Sequence, residues 1–217
     1  MGENRTRSFL GLTLMIAQAF FYNAIFFTYA LVLERFYNIP PIKAGYYIFP
    51  FALGNVLGPV LIGHLFDTIG RKKMISLTYA LSGVMLAITG WFFIHGLLTA
   101  VTQTICWTAI FFVASSAASA AYLTVSEIFP LEVRAMAISI FYAIGTLIGG
   151  VAAPVVFGAL IQTGSRIHLL WGYLAAAILM LFAAVTELTY GVAAEGQSLE
   201  KICKPLSARG SKLADSA

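Results

Sequence analysis

Long apolar runs alternate with short polar clusters along this chain, and the runs cover about 8–33, 45–66, 74–95, 99–124, 135–160 and 169–190. Each exceeds the ~20 residues that a helix needs to cross the hydrocarbon core of a bilayer. Pro40-Pro41 cannot continue a helix, so the polar stretch 34–44 separates the first crossing from the second. An even number of crossings returns both ends to one side. The pattern predicts an all-α membrane protein with six transmembrane helices. A polar segment, 1–7, precedes them, and a tail, 191–217, follows. Hydrophobicity falls in that tail, and 209–217 is small and polar, so its end is expected to be disordered.

Composition agrees with this assignment: of 217 residues 60% are hydrophobic and only 10% charged, with a mean hydropathy of +0.89. Charge then orients the chain. Arg5, Arg7, Arg71, Lys72, Lys73, Arg134, Lys201, Lys204, Arg209 and Lys212 fall on the side of the termini, against Arg35, Lys43 and Arg166 on the other. Positive charge collects on the cytoplasmic side, so both termini are expected there. The basic residues form no stripe interleaved with aromatics, which argues against nucleic acid as a partner. Cys106 lies in a run and Cys203 in the tail, without companions for a metal site, so no metal or cofactor is expected. No His-Glu-x-x-His, no paired mid-membrane aspartates and no activated serine or cysteine suggest an enzyme. Six spans could also form a pore or a structural membrane subunit, but neither a filter loop nor an arginine repeat is visible. The first run is too long for the core of a cleaved signal, and no small-residue cleavage site follows it.

Against this apolar background two knots of polar residues stand out. The first is Gly63-His64-Leu65-Phe66-Asp67-Thr68-Ile69-Gly70-Arg71-Lys72-Lys73, a very short loop between the second and third runs. Gly63 and Gly70 allow a tight turn and close helix approach, while Asp67 and Arg71 can each find an opposite charge or a helix end. The second is Ser126-Glu127-Ile128-Phe129-Pro130-Leu131-Glu132-Val133-Arg134. Asp67, Arg71, Glu127 and Arg134, with Glu187 in the last turn of the sixth run, are expected to form one charge network on one face. Within the first run, Gln18, Tyr22, Asn23 and Tyr29 are polar groups at membrane depth, and each needs a neighbour, a cavity or a ligand. Gln18 and Asn23 lie roughly 140° apart around a helix, so one partner helix would not satisfy both. Asn55, Trp107, Tyr122 and Tyr142 are further candidates for a cavity wall. Small residues recur at four-residue spacing: Gly54 and Gly58, Ser115 and Ser119, Gly145 and Gly149, and Gly150, Pro154 and Gly158. They favour close helix contact, and Pro154 can bend the fifth helix.

The spacing Gly-x-Leu-x-Asp-x-x-Gly-Arg-Lys resembles the loop signature of the major facilitator superfamily of transporters, between the second and third helices of a six-helix half. The second knot resembles the loop after the fourth helix in the C-terminal half of sugar-porter-type members. Gln18-x-x-x-x-Asn23-Ala24-x-Phe26 is similar to the Gln-Gln-x-Ser-Gly-x-Asn segment of those porters, with Ala17 and Phe21 replacing its first glutamine and its glycine. Tyr122 stands in place of a tryptophan, Ala118-Ser119-Ala120-Ala121 replaces a Gly-Pro-x-Pro, and Gly196-Gln197-Ser198-Leu199-Glu200-Lys201-Ile202 resembles the porter tail. These departures imply a related transporter with a different substrate.

The resemblance implies a 3+3 inverted repeat forming one half of such a transporter. Substrate-binding positions would be Gln18, Tyr22, Asn23, Tyr29, Asn55, Trp107 and Tyr122. Gating positions would be Gly63, Asp67, Gly70, Arg71, Glu127, Pro130, Arg134 and Glu187, with Asp67 also bonding a helix N-terminus. A sugar or organic metabolite would cross a plasma membrane by alternating access, coupled to a proton or other gradient. Segment 1–7 reads as the remnant of a central linker. The partner would be an N-terminal six-helix half or a second copy of this chain.

Overall fold

The computed structural model describes residues 2–192, with side chains from Arg5 onward; expectations for 193–217 lie outside the described residues. Among these, the regular structure is helical throughout, and six helices are long and apolar enough to cross a membrane. The first span is α1, Gly2–Phe26, continued after a break at Phe27-Thr28 by α2, Tyr29–Tyr37. The predicted linker is thus helical from Gly2, because nothing in it breaks a helix. The Nη1 of Arg7 anchors that end to the Ile128 carbonyl at 2.9 Å. Asn38, in the left-handed conformation at φ 54°, ends α2 by donating its N–H to the Glu34 carbonyl.

The second span begins with α3, Pro41–Ala44, and a 3-10 turn, Gly45–Tyr47, and continues as α4, Ile48–Thr68. The third is α5, Arg71–Ile94, and the fourth is α6, Ala100–Ile128, opened by a capping box between Thr99 and Thr102. The fifth is built from α7, Leu131–Gly145, a π-helical segment, Thr146–Ala152, and α8, Ala153–Gln162. Pro154 explains the wide turn. It donates no N–H and crowds the carbonyl four residues earlier, and a π turn relieves that conflict without ending the helix. The sixth span is α9, Arg166–Tyr190. Most of these helices begin earlier or end later than the apolar runs, because polar first and last turns stand clear of the hydrocarbon and carry no hydropathy signal.

The helix pairing is symmetric. The first span packs on the fourth, fifth and sixth, the fourth packs on the first, second and third, and the third packs on the sixth. Exchanging spans one to three with spans four to six maps this pattern onto itself, which is the mark of an inverted repeat. The same symmetry reaches individual residues. A Cβ on Gly54 would lie 2.6 Å from the Thr108 carbonyl oxygen, and one on Gly58 would overlap the Phe112 carbonyl, so α4 meets α6 backbone to backbone. In the repeat, a Cβ on Gly145 would lie 3.1 Å from the Met15 carbonyl oxygen, and one on Gly149 would overlap the backbone at Ala19 and Phe20. Of the small residues expected at helix contacts, Gly158 faces open space and Gly150 meets mainly Thr146 of its own segment.

Gly149→Val is therefore expected to lower stability by about 1–3 kcal/mol, since the added methyls meet backbone that cannot move aside. Gly158→Ala should be near neutral. Thermal unfolding of both variants in the same detergent checks the contrast.

Candidate functional site

Two separate sites emerge, one at a helix-end face and one within the bundle. At the face shared by the second-to-third and fourth-to-fifth loops, Gly70 supplies the turn. Its φ of 112° is a conformation open to glycine, and it places Arg71 at the first position of α5. Arg71 pairs with Asp67, at 3.2 Å, and with Glu127 in the last turn of α6. The Glu127 side chain is 12% exposed and that of Asp67 70%, so the bond that joins two spans is the sheltered one. Pro130 stands at the N-terminus of α7 and sets the sharp exit from α6.

Several expected members stand elsewhere. Asp67 bonds Arg71 rather than a helix N-terminus. Arg134 turns its Nη2 to the Phe129 carbonyl of its own loop, at 3.5 Å. Glu187 is buried in α9, and among the described residues its carboxylate has no hydrogen-bond partner. The five-member network is thus a three-member latch: Asp67, Arg71 and Glu127. Gly63 makes no close contact in the bundle; it lines a groove with Pro59, Asp67, Arg71 and Ser119.

The second site is a cavity of about 450 Å³ between α1, α6 and the fifth span. Gln18, Tyr22, Asn23 and Tyr122 line it, as do Tyr142 and Thr146. Gln18 is 6% exposed; its Nε2 donates to the Ala114 carbonyl at 3.1 Å, while its Oε1 has no partner. Asn23 donates to the Ala19 carbonyl in its own helix, at 2.8 Å, which leaves its oxygen free for another donor. The two amides bracket one face of α1, with Met15, Ala19 and Tyr22 between them, and that face as a whole lines the cavity.

Three expected members lie off this cavity. Trp107 is 1% exposed in the bundle core. Asn55 accepts a hydrogen bond from the Tyr22 hydroxyl, tying α4 to α1. Tyr29 stacks on Phe51, with ring centres 6.3 Å apart, beyond the break in the first span. Thr146 escapes sequence reasoning because Pro154 signals a bend but not which upstream residues widen into the π segment that carries it.

Six helices of membrane-crossing length, with a polar cavity between three of the spans and an ionic tie between helix ends, suit a membrane transport protein rather than a simple anchor. The chain matches the model of the Major Facilitator Superfamily over residues 10–205 and belongs to that family. No curated protein matches it.

Glu127→Gln removes the sheltered charge opposite Arg71 and should cost on the order of 1–3 kcal/mol. Asp67→Asn should cost less than about 1 kcal/mol, because its partner is met in solvent. Paired melting curves test this order, and equal losses would contradict it.

Proposed function

We propose that the chain moves a small, uncharged polar solute of the sugar type by alternating access, with the solute held in the cavity formed by α1, α6 and the fifth span. The carrying observation is the wall chemistry. Amide and hydroxyl residues Gln18, Asn23, Tyr122, Tyr142 and Thr146 line it together with Tyr22, whose own hydroxyl is taken by Asn55, and no lining residue is charged. Such a wall exchanges hydrogen bonds with hydroxyl groups, and the flat tyrosine rings suit the apolar face of a sugar ring. The unpartnered oxygen of Gln18 accepts a donor that the solute brings, which offsets the cost of its burial. An organic anion would need a cation that this half of the cavity lacks.

Alternating access places the Asp67–Arg71–Glu127 latch on the cytoplasmic face, with both termini, by the charge balance of the loops. The chain would reside in the plasma membrane and draw on a proton or other ion gradient. A second six-helix body, either an N-terminal half or another copy, would complete the cavity. The second and fifth spans support such a partner, since only 17% and 28% of their apolar windows are buried.

Uptake of labelled neutral sugars and of small carboxylates into proteoliposomes, with and without an imposed pH gradient, tests this proposal. Saturable sugar uptake is expected, with half-saturation raised about tenfold in Gln18→Leu and in Tyr142→Leu. Preference for the carboxylates, or steady ionic current across a planar bilayer in place of saturable uptake, would overturn it.

A further inference from the structure

Arg166 occupies, on the opposite face, the position that Arg71 occupies beside the charged loops. Each is the first residue of its helix, α9 and α5, and each follows closely on a glycine of positive φ, Gly164 at 68° and Gly70 at 112°. The third and sixth spans are equivalent in the inverted repeat, and so are the fourth and the first. Arg71 reaches the last turn of α6 in the fourth span. Arg166 reaches the last turn of α2 at the end of the first span, where its guanidinium lies 6.0 Å from the Phe36 ring centre and 5.9 Å from that of Tyr37. It also lies 4.8 Å from the Phe93 ring centre, and its Nη1 donates to the Phe93 carbonyl at 2.7 Å. That carbonyl belongs to the last turn of α5, the negative end of the helix dipole.

We propose that Arg166 is a second latch, the pseudo-two-fold counterpart of Arg71. It acts as a positioning residue that fixes α2 beside the solute cavity. Its role in gating rests on the transport proposal above; its role in holding α2 does not. The two latches share a place in the fold but differ in chemistry. Arg71 is held by carboxylates, whereas Arg166 has no carboxylate in ion-pair range among the described residues and is held by ring faces and a helix end.

The segment it holds is anchored in its middle by the fully buried Val32 and Leu33, so Arg166 acts on its last turn. α2 packs mainly on α3 and α8, and the Tyr37 hydroxyl adds one bond to the Gln103 Oε1, at 3.1 Å. The turn residues Phe27 and Thr28 interrupt the span before α2 but remain bridged, the Thr28 N–H donating to the Ile25 carbonyl at 3.2 Å and the Val32 N–H to the Thr28 carbonyl at 3.0 Å, and Phe27 lines the solute cavity. A tilt of α2 is passed through these bonds to Phe27, and so to the cavity wall. Each latch ties helix ends on one face alone, so release of one leaves the other closed, which is the asymmetry that alternating access requires.

The experiment places spin labels on α2 and α6, at Glu34→Cys and Val101→Cys, and a second pair at Ile69→Cys and Leu131→Cys on the Arg71 face. The full chain is used in nanodiscs, with Cys106 and Cys203 changed to Ser. Arg166→Gln is expected to raise the population of a displaced α2 distance roughly tenfold, since it removes a half-buried cation from the rings and its bond to the Phe93 carbonyl. The second pair should stay unchanged. Arg166→Lys, which keeps the charge, should remain close to the parent, and the Phe36→Leu, Tyr37→Leu double variant should reproduce the displacement. Glu127→Gln should do the converse, broadening the second pair and sparing the first. An unmoved α2 distance in Arg166→Gln would overturn the proposal, as would equal broadening on both faces, the sign of general loosening. Absence of uptake by the parent chain leaves these distances readable, so the two proposals fail separately.

Discussion

The constraint on which this bundle depends is the contact of backbone with backbone at two helix crossings. In a bilayer the lipid is as apolar as the side chains, so helices do not associate to escape water; they associate where they fit closely. Gly54 and Gly58 let α4 lie against the carbonyls of α6, and Gly145 and Gly149 let the fifth span lie against α1. The second crossing sets the distance from α1 to the fifth span, and so the width of the cavity between them. The π segment belongs to the same device, because it carries Gly149 into contact while leaving Thr146 on the cavity wall.

From that frame the polar groups take their places. The cavity gathers amides and phenols from three spans, while charge is confined to helix ends, where Arg71 and Arg166 each tie together spans on one face. A charge in mid-membrane would carry a heavy desolvation cost. Charge at helix ends can form and break partnerships as the ends become exposed or covered. In the proposed mechanism recognition and gating are thus separated in space, and the first span links them: Asn23 and Phe27 line the cavity, and Phe36 and Tyr37 lie against Arg166.

Much of this is legible in the amino-acid sequence. Six apolar runs define the six spans, because a span must be apolar over nearly its whole length. The loop spacing around Asp67, Gly70 and Arg71 identifies the latch, since a charge knot between two spans has few other roles. The glycine pairs at four-residue spacing are legible as contacts, but Gly54 and Gly145 cannot be told from Gly158 without knowing which helix each face meets. Asn55, expected on the cavity wall, is taken up by the bundle itself, because polar character does not reveal whether a partner is already present, and Trp107 is packed into the core. The break at Phe27-Thr28 leaves no clear trace, and Pro154 signals a bend in the fifth span without showing which upstream residues form the π segment. The grip on Arg166 is hidden for a related reason. Ring faces act as its partner, and aromatic residues are common in every span.

The central claim is that the cavity lined by Asn23 opens to each side of the membrane in turn. The most direct measurement is the labelling of Asn23→Cys by a membrane-impermeant thiol reagent, added to either side of proteoliposomes, in a background with Cys106 and Cys203 changed to Ser. The account predicts labelling from both sides and a change in their ratio when a transported sugar is added. Labelling from one side alone, unmoved by any sugar, would contradict it.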